Sequence, residues 1–154
     1  MSAEVATITR FYESFAARDA DGMTACYADD VTFHDPGFGV LHGDRAKAMW
    51  HMLCHAGKDL QVVASRIEGG NGTGRAHWEA DYTFSTGRMI HNVVEARFDL
   101  IDGLITGHED TFSFGAWARQ AFGPIGTVGR LPGAATAFQL LSKRQLDAYI
   151  AKHG

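Results

Sequence analysis

The stretch Tyr27–Gly43, YADDVTFHDPGFGVLHG, decides how the rest of the chain is read. Val31-Thr32-Phe33 reads as a strand after a helix end, and Pro36, Gly37 and Gly39 break it into a bent return that closes near Gly43. At its centre Asp35 stands between His34 and Pro36, with Phe33, Phe38, Val40 and Leu41 around it. A carboxylate in such company either finds polar partners or keeps its proton to higher pH. Two readings stand for Asp35: a general base, or a turn residue bonding nearby backbone amides.

Upstream of this stretch the period is helical. From Ala3 to Arg18, Val5, Ile8, Phe11, Tyr12 and Phe15 form one wide apolar stripe. Asp19 and Asp21 then cap a short second helix with Met23, Cys26 and Tyr27 facing inward. Downstream, a third helix runs from about Asp44 to Ala56, with Ala46, Met49, Trp50 and Leu53 on its buried side and Gly57 at the C-cap position.

The period then changes to two. Leu60–Glu68, Arg75–Ser85, Met89–Leu100 and Leu104–Phe114 read as four antiparallel strands joined through Gly69-Gly70-Asn71-Gly72, Thr86-Gly87 and Asp102-Gly103. Trp78, Ala80, Tyr82 and Phe84 share one face, as do Asn92, Val94, Ala96 and Phe98 on the next strand and His108, Asp110 and Phe112 on the last. Helices followed by a curved meander predict an α+β domain, an antiparallel sheet wrapped around the N-terminal helices. This domain is expected over residues 1–114, with an added helical extension over 115–154 packed on it. In that extension Gly115–Phe122 reads as a short helix, Gly123–Gly129 as a flexible loop, and Ala134–Ala151 as an amphipathic helix.

Composition narrows the function classes. The length of 154 residues suits one core, and 45% hydrophobic with 21% charged residues is globular usage. A formal net charge of -4 without a basic run argues against nucleic acid or an anionic membrane as partner. The N-terminus carries early acids and no apolar run of the signal-peptide kind, and Cys26 and Cys54 read as buried thiols, so a cytoplasmic location is expected. His51 and His55 are spaced i, i+4 but lack the glutamate that accompanies a zinc-binding pair, so no metal site is expected there.

Three groups of residues resemble the nuclear transport factor 2-like superfamily, most closely its ketosteroid isomerases and SnoaL-like polyketide cyclases. They are Tyr27-Ala28-Asp29-Asp30 followed by Asp35-Pro36, then Leu41-His42-Gly43 entering a helix, and Asp102–Ile105 leading to His108–Phe112. The resemblance spans about residues 5 to 114. It implies a conical fold that often pairs through a sheet face, hence a homodimer, and an apolar pocket for a small hydrophobic molecule. It places Asp35 at the isomerase base position and Asp110 at the last-strand acid of the cyclases and of limonene-type epoxide hydrolases. The isomerase oxyanion donors fall on Phe11, with Tyr12 one residue off, and on Val94.

The candidate catalytic set is therefore Asp35, Asp110 and His108, with Asn92 or Tyr12 as partners for a developing oxyanion. Phe11, Phe33, Val94, Trp50, Trp78, Tyr82 and Phe112 complete the candidate pocket, although large aromatics are usually core. The expected activity is acid–base chemistry without metal or cofactor on a carbonyl compound: isomerase, aldol-type cyclase or dehydratase. The alternatives are a non-catalytic binding or dimerisation module, or an epoxide hydrolase, which needs an arginine in the cavity.

Overall fold

In a computed structural model that describes residues 1–153, the protein opens with α1 (Ala3–Ala16), α2 (Ala20–Thr24), β1 (Tyr27–Asp35) and β2 (Gly39–His42). Next come α3 (Asp44–Ala56), β3 (Gln61–Gly70), β4 (Thr73–Thr83), β5 (Met89–Ile101) and β6 (Leu104–Thr111). The chain ends with α4 (Phe114–Phe122), a 3₁₀ segment (Gly123–Arg130) and α5 (Ala134–His153). This is the predicted α+β architecture.

The six strands form one sheet in the order β2-β1-β6-β5-β4-β3. The meander β3 to β6 is antiparallel throughout, whereas β1 joins β6 in parallel and pairs with β2 as a hairpin. One extra residue in β3, marked by Arg66 at φ 51°, shifts the register against β4 between Ser65 and Glu68. Such a bulge bends and twists the strand, which curls the sheet around α1.

α1 buries Thr7, Ile8, Phe11, Tyr12 and Phe15 against that concave face. Its N-terminus is held by the Ser2 hydroxyl, which accepts from the Val5 N–H and donates to the Gly69 carbonyl at the end of β3. The side chain of Asp19 caps α2, but that helix stops at Thr24. Tyr27, expected on its inner face, is instead the first residue of β1, paired with Ile105. α3 has the predicted bounds, and its apolar face rests on β1 and β2.

The extension differs from the sequence expectation in its connector. Gly123–Arg130 is an ordered 3₁₀ segment, because Gly126 lies against the Ala118 and Arg119 backbone of α4 with no room for a Cβ. Trp117, Ala118 and Ala121 of α4 pack with Ile90 into a second apolar cluster, bordered by Tyr82, Phe84, Phe112, Phe114 and Phe138. Gln139 of α5 donates to the Pro36 carbonyl, which ties the last helix to the bent return after β1. Among the described residues no helix is long and apolar enough to cross a membrane.

Candidate functional site

Between the open end of the sheet, α3 and the C-terminal helices lies a cavity of about 650 Å³. Its wall is dominated by aromatic side chains, with Asp35 and Asp110 as its acidic groups and, among the described residues, no lysine, arginine or histidine. A wider open groove is lined by surface charges such as Glu68, Arg75, Arg97 and Asp99. It gathers no comparable apolar wall, so the smaller cavity is the candidate site.

Asp35 ends β1, where the chain turns through Pro36-Gly37. Its Oδ1 accepts the Phe38 N–H at 2.6 Å, so the turn role is realised together with a place in the cavity wall. Burial in this wall raises its pKa from 3.8 to about 7. The backbone N–H groups of Phe38 and Gly37 oppose the rise, and the charge of Asp110 adds to it.

Asp110 comes from β6 and is buried. One of its oxygens, Oδ1, accepts from His108 Nε2 at 2.9 Å and Trp78 Nε1 at 3.3 Å. Behind it runs a buried chain whose direction follows from donor chemistry. Trp50 Nε1 bonds the Tyr27 hydroxyl oxygen at 2.8 Å, and an indole N–H only donates. That leaves the Tyr27 hydroxyl proton free for His108 Nδ1, 2.7 Å away, the direction that suits a His108 donating from Nε2 to Asp110. His108 is left with its proton on Nε2, aimed at Asp110. Burial pushes Tyr27 well above the ordinary tyrosine range, consistent with a hydroxyl that keeps its proton.

For His108 the sequence left two roles open, orienting Asp110 or meeting the ligand itself, and the structure has it against Asp110 and away from the cavity. Its side chain has no exposed surface, and both ring nitrogens are committed. It pairs with Phe33 on β1 and Phe98 on β5, deep in the cone, with the rings of Phe11, Phe33 and Phe98 4.3–5.4 Å from its own. Two residues along the same strand face, Asp110 reaches the cavity; His108 supports it from behind.

The other candidates divide in the same way. Trp50, Trp78, Tyr82, Asn92 and Phe112 line the cavity. Phe11, Phe33 and Val94 are core residues without exposure, so they do not face a ligand. Tyr12 does not line the cavity either, so the expected oxyanion donor stands behind the wall, where its buried hydroxyl has no hydrogen-bond partner among the described residues.

Sequence reasoning missed the contribution of the extension. Phe114, Trp117, Phe122, Phe138, Leu141 and Gln145 all line the cavity. Their clustering in residues 114–145 was the available signal, since a purely solvated appendage has no need of four large aromatics.

His51 approaches Asp21 at 3.6 Å and is more than one-third exposed, while His55 lies beside His153. Among the described residues no three His, Cys, Asp or Glu side chains converge as a metal site would require. Cys26 and Cys54 are free and buried. Arg66, Arg75, Arg88 and Arg97 are exposed, and none lines the cavity, so the arginine of an epoxide hydrolase site is not assembled here.

A cone of bent sheet closed over an N-terminal helix, with acids at its open end, is the architecture of nuclear transport factor 2-like proteins. Within that class the chain belongs to the SnoaL-like domain family, whose model matches residues 8–108. Among solved structures it is similar to a nuclear transport factor 2-like protein of unknown function from Burkholderia pseudomallei. The two share 20% identity over 79% of this chain and 99% of that one, with a TM-score of 0.69. A proposed polyketide cyclase from Silicibacter sp. is 25% identical over 75% of this chain and 92% of that one, at a TM-score of 0.61. An epoxide hydrolase from M. tuberculosis is similar in fold, with a TM-score of 0.64 and 18% identity over 88% of this chain and 96% of that one. No curated protein matches the chain in sequence.

Proposed function

We propose that the protein is a cofactor-independent acid–base enzyme that moves a proton on a neutral, hydrophobic carbonyl compound, in the manner of an isomerase or aldol-type cyclase. The observation that carries this reading is the Asp35 carboxyl in an aromatic cavity, with its pKa raised to about 7. Near neutral pH such a group is present in both forms, so it takes a proton in one step and returns it in the next.

Ionised Asp35 removes a proton from the carbon beside the substrate carbonyl, and the bonding pair moves onto the carbonyl oxygen. In an isomerase the protonated Asp35 returns that proton to a carbon further along the conjugated system. In a cyclase the enolate carbon attacks a second carbonyl carbon, and the new alkoxide takes the proton from Asp35. Burial does most to keep the proton affinity of Asp35 high, and the neighbouring Asp110, held by His108 and Trp78, adds to it.

A cavity wall without basic side chains favours an uncharged ligand over a carboxylate or phosphate ester. The volume of about 650 Å³ accommodates a molecule of two to four fused rings. The test is turnover of β,γ-unsaturated ketones and polyketide-like enols by the wild type, Asp35→Asn and Asp110→Asn. Loss of turnover in Asp35→Asn, by ~10²-fold or more, is expected for a positioned base. Turnover that survives this change sinks the reading, and tight binding without turnover in the wild type points to a binding module.

A further inference from the structure

We propose that Tyr82 is the hydrogen-bond donor to the ligand's carbonyl oxygen, and that Trp117 of the C-terminal extension orients it for that task. The chemistry rests on the proton-transfer reading above, but the geometry is independent of it.

Tyr82 and Trp117 come from distant parts of the chain. Tyr82 stands on β4, facing the cavity, and Trp117 stands on α4, outside residues 8–108 that the family model matches. The indole Nε1 lies 2.8 Å from the Tyr82 hydroxyl. Because an indole N–H has no acceptor capacity, the hydroxyl oxygen is the acceptor in this pair. The Tyr82 proton must then point elsewhere, and among the described residues nothing accepts it. A half-buried hydroxyl with its oxygen engaged and its proton free, in an otherwise apolar wall, is arranged to meet an acceptor on a bound molecule.

The location suits the reaction. The charge of Asp35 reaches the Tyr82 hydroxyl and, together with the larger effect of burial, holds its pKa above the ordinary value. The hydroxyl therefore stays protonated, and it lines the same cavity as the proton carrier Asp35. The bond from Trp117 also polarises the hydroxyl, which makes it a better donor as negative charge grows on the ligand oxygen.

The extension thus supplies more than a cover. Phe114, Trp117, Phe122 and Phe138 finish the cavity wall, and Trp117 additionally sets the direction of the donor. The positions where the isomerase donors fall, Phe11 and Val94, are sealed in the core. Tyr82 replaces them from another strand, with a partner that the matched domain does not contain.

The test needs no natural substrate. Equilibrium dialysis at pH 7 measures the affinity of 2-naphthol and of its near-isostere 2-methylnaphthalene, which lacks the oxygen. The readout is the ratio of the two affinities, in which changes of cavity shape cancel. The wild type is expected to prefer 2-naphthol. Tyr82→Phe is expected to lower the ratio about 10- to 100-fold, and Trp117→Phe about 2- to 10-fold, with the affinity for 2-methylnaphthalene held within a few-fold. A ratio in Tyr82→Phe within twofold of the wild type overturns the proposal, as does a wild type that prefers 2-methylnaphthalene. Since this ratio is read without turnover, an Asp35→Asn variant that stays active sinks the proton-carrier reading alone. An unmoved ratio beside base-dependent turnover sinks the role of Tyr82 alone.

Discussion

Asp35 should cost the protein stability at the pH where it is useful, and Asp35→Asn should return that stability. The carboxyl rises from 3.8 to about 7 on folding. At 1.36 kcal/mol per pKa unit this is a cost of about 4 kcal/mol when the group is fully ionised, and partial access of water through the cavity brings the expectation to about 2 kcal/mol. The sign follows from proton binding. Between pH 3.8 and about 7 the folded protein holds the Asp35 proton more tightly than the unfolded chain does, so the contribution of this group to stability falls as pH rises through that window. Below the window the cost is absent, and above it the cost is complete.

Asparagine keeps an oxygen for the Phe38 N–H and carries no charge, so it removes the cost without opening the turn. Thermal unfolding of wild type and variant from pH 5 to pH 8.5 is the assay. The variant should gain on the wild type steadily with pH, reaching a midpoint about 4–8 °C higher above pH 8. A difference that does not change with pH, or a variant that melts below the wild type at pH 8, refutes the assignment of the raised pKa to Asp35. A gain in stability joined to a loss of turnover would be the trade expected of a group strained for its task.

Further expectations concern the groups around Asp35. Removing the neighbouring charge with Asp110→Asn lowers the pKa of Asp35, so the acid limb of any pH–rate profile should move to lower pH. A limb that stays in place would mean that Asp110 does not act on it. Tyr27→Phe strips partners from both Trp50 Nε1 and His108 Nδ1. Two orphaned buried groups should lower stability by roughly 2 kcal/mol or more in urea unfolding. Gly126→Ala forces a methyl into the α4 backbone, so it should loosen the extension and shift Trp117 fluorescence to the red. Unchanged emission would show that the 3₁₀ segment does not brace the cavity wall.

The sequence by itself determined the main helices and the meander strands, because their signals are local. The stripe of Ile8, Phe11, Tyr12 and Phe15 is a helix wherever it is placed, and the alternation along Trp78–Phe84, Asn92–Phe98 and His108–Phe112 assigns each side chain to one face of a sheet. Asp35-Pro36 with its glycines made the turn legible as well, and the motifs around it resembled the family to which the chain belongs.

Depth within the cone was decided only by tertiary structure. Period-two alternation says that His108 and Asp110 point the same way, but not that curvature and the neighbours Phe33 and Phe98 seal one while the other reaches the cavity. The same limit explains why Phe11, Tyr12, Phe33 and Val94 lie behind the wall although they belong to inward faces. Hydrogen-bond direction is equally non-local. Trp50, Tyr27 and His108 are far apart in sequence, as are Trp117 and Tyr82, and a donor-only indole imposes its direction on a hydroxyl only once the fold has brought them within 2.8 Å. Asp35 was visible as an acid in apolar company; its raised pKa required the cavity that α3, the sheet and the C-terminal helices enclose together.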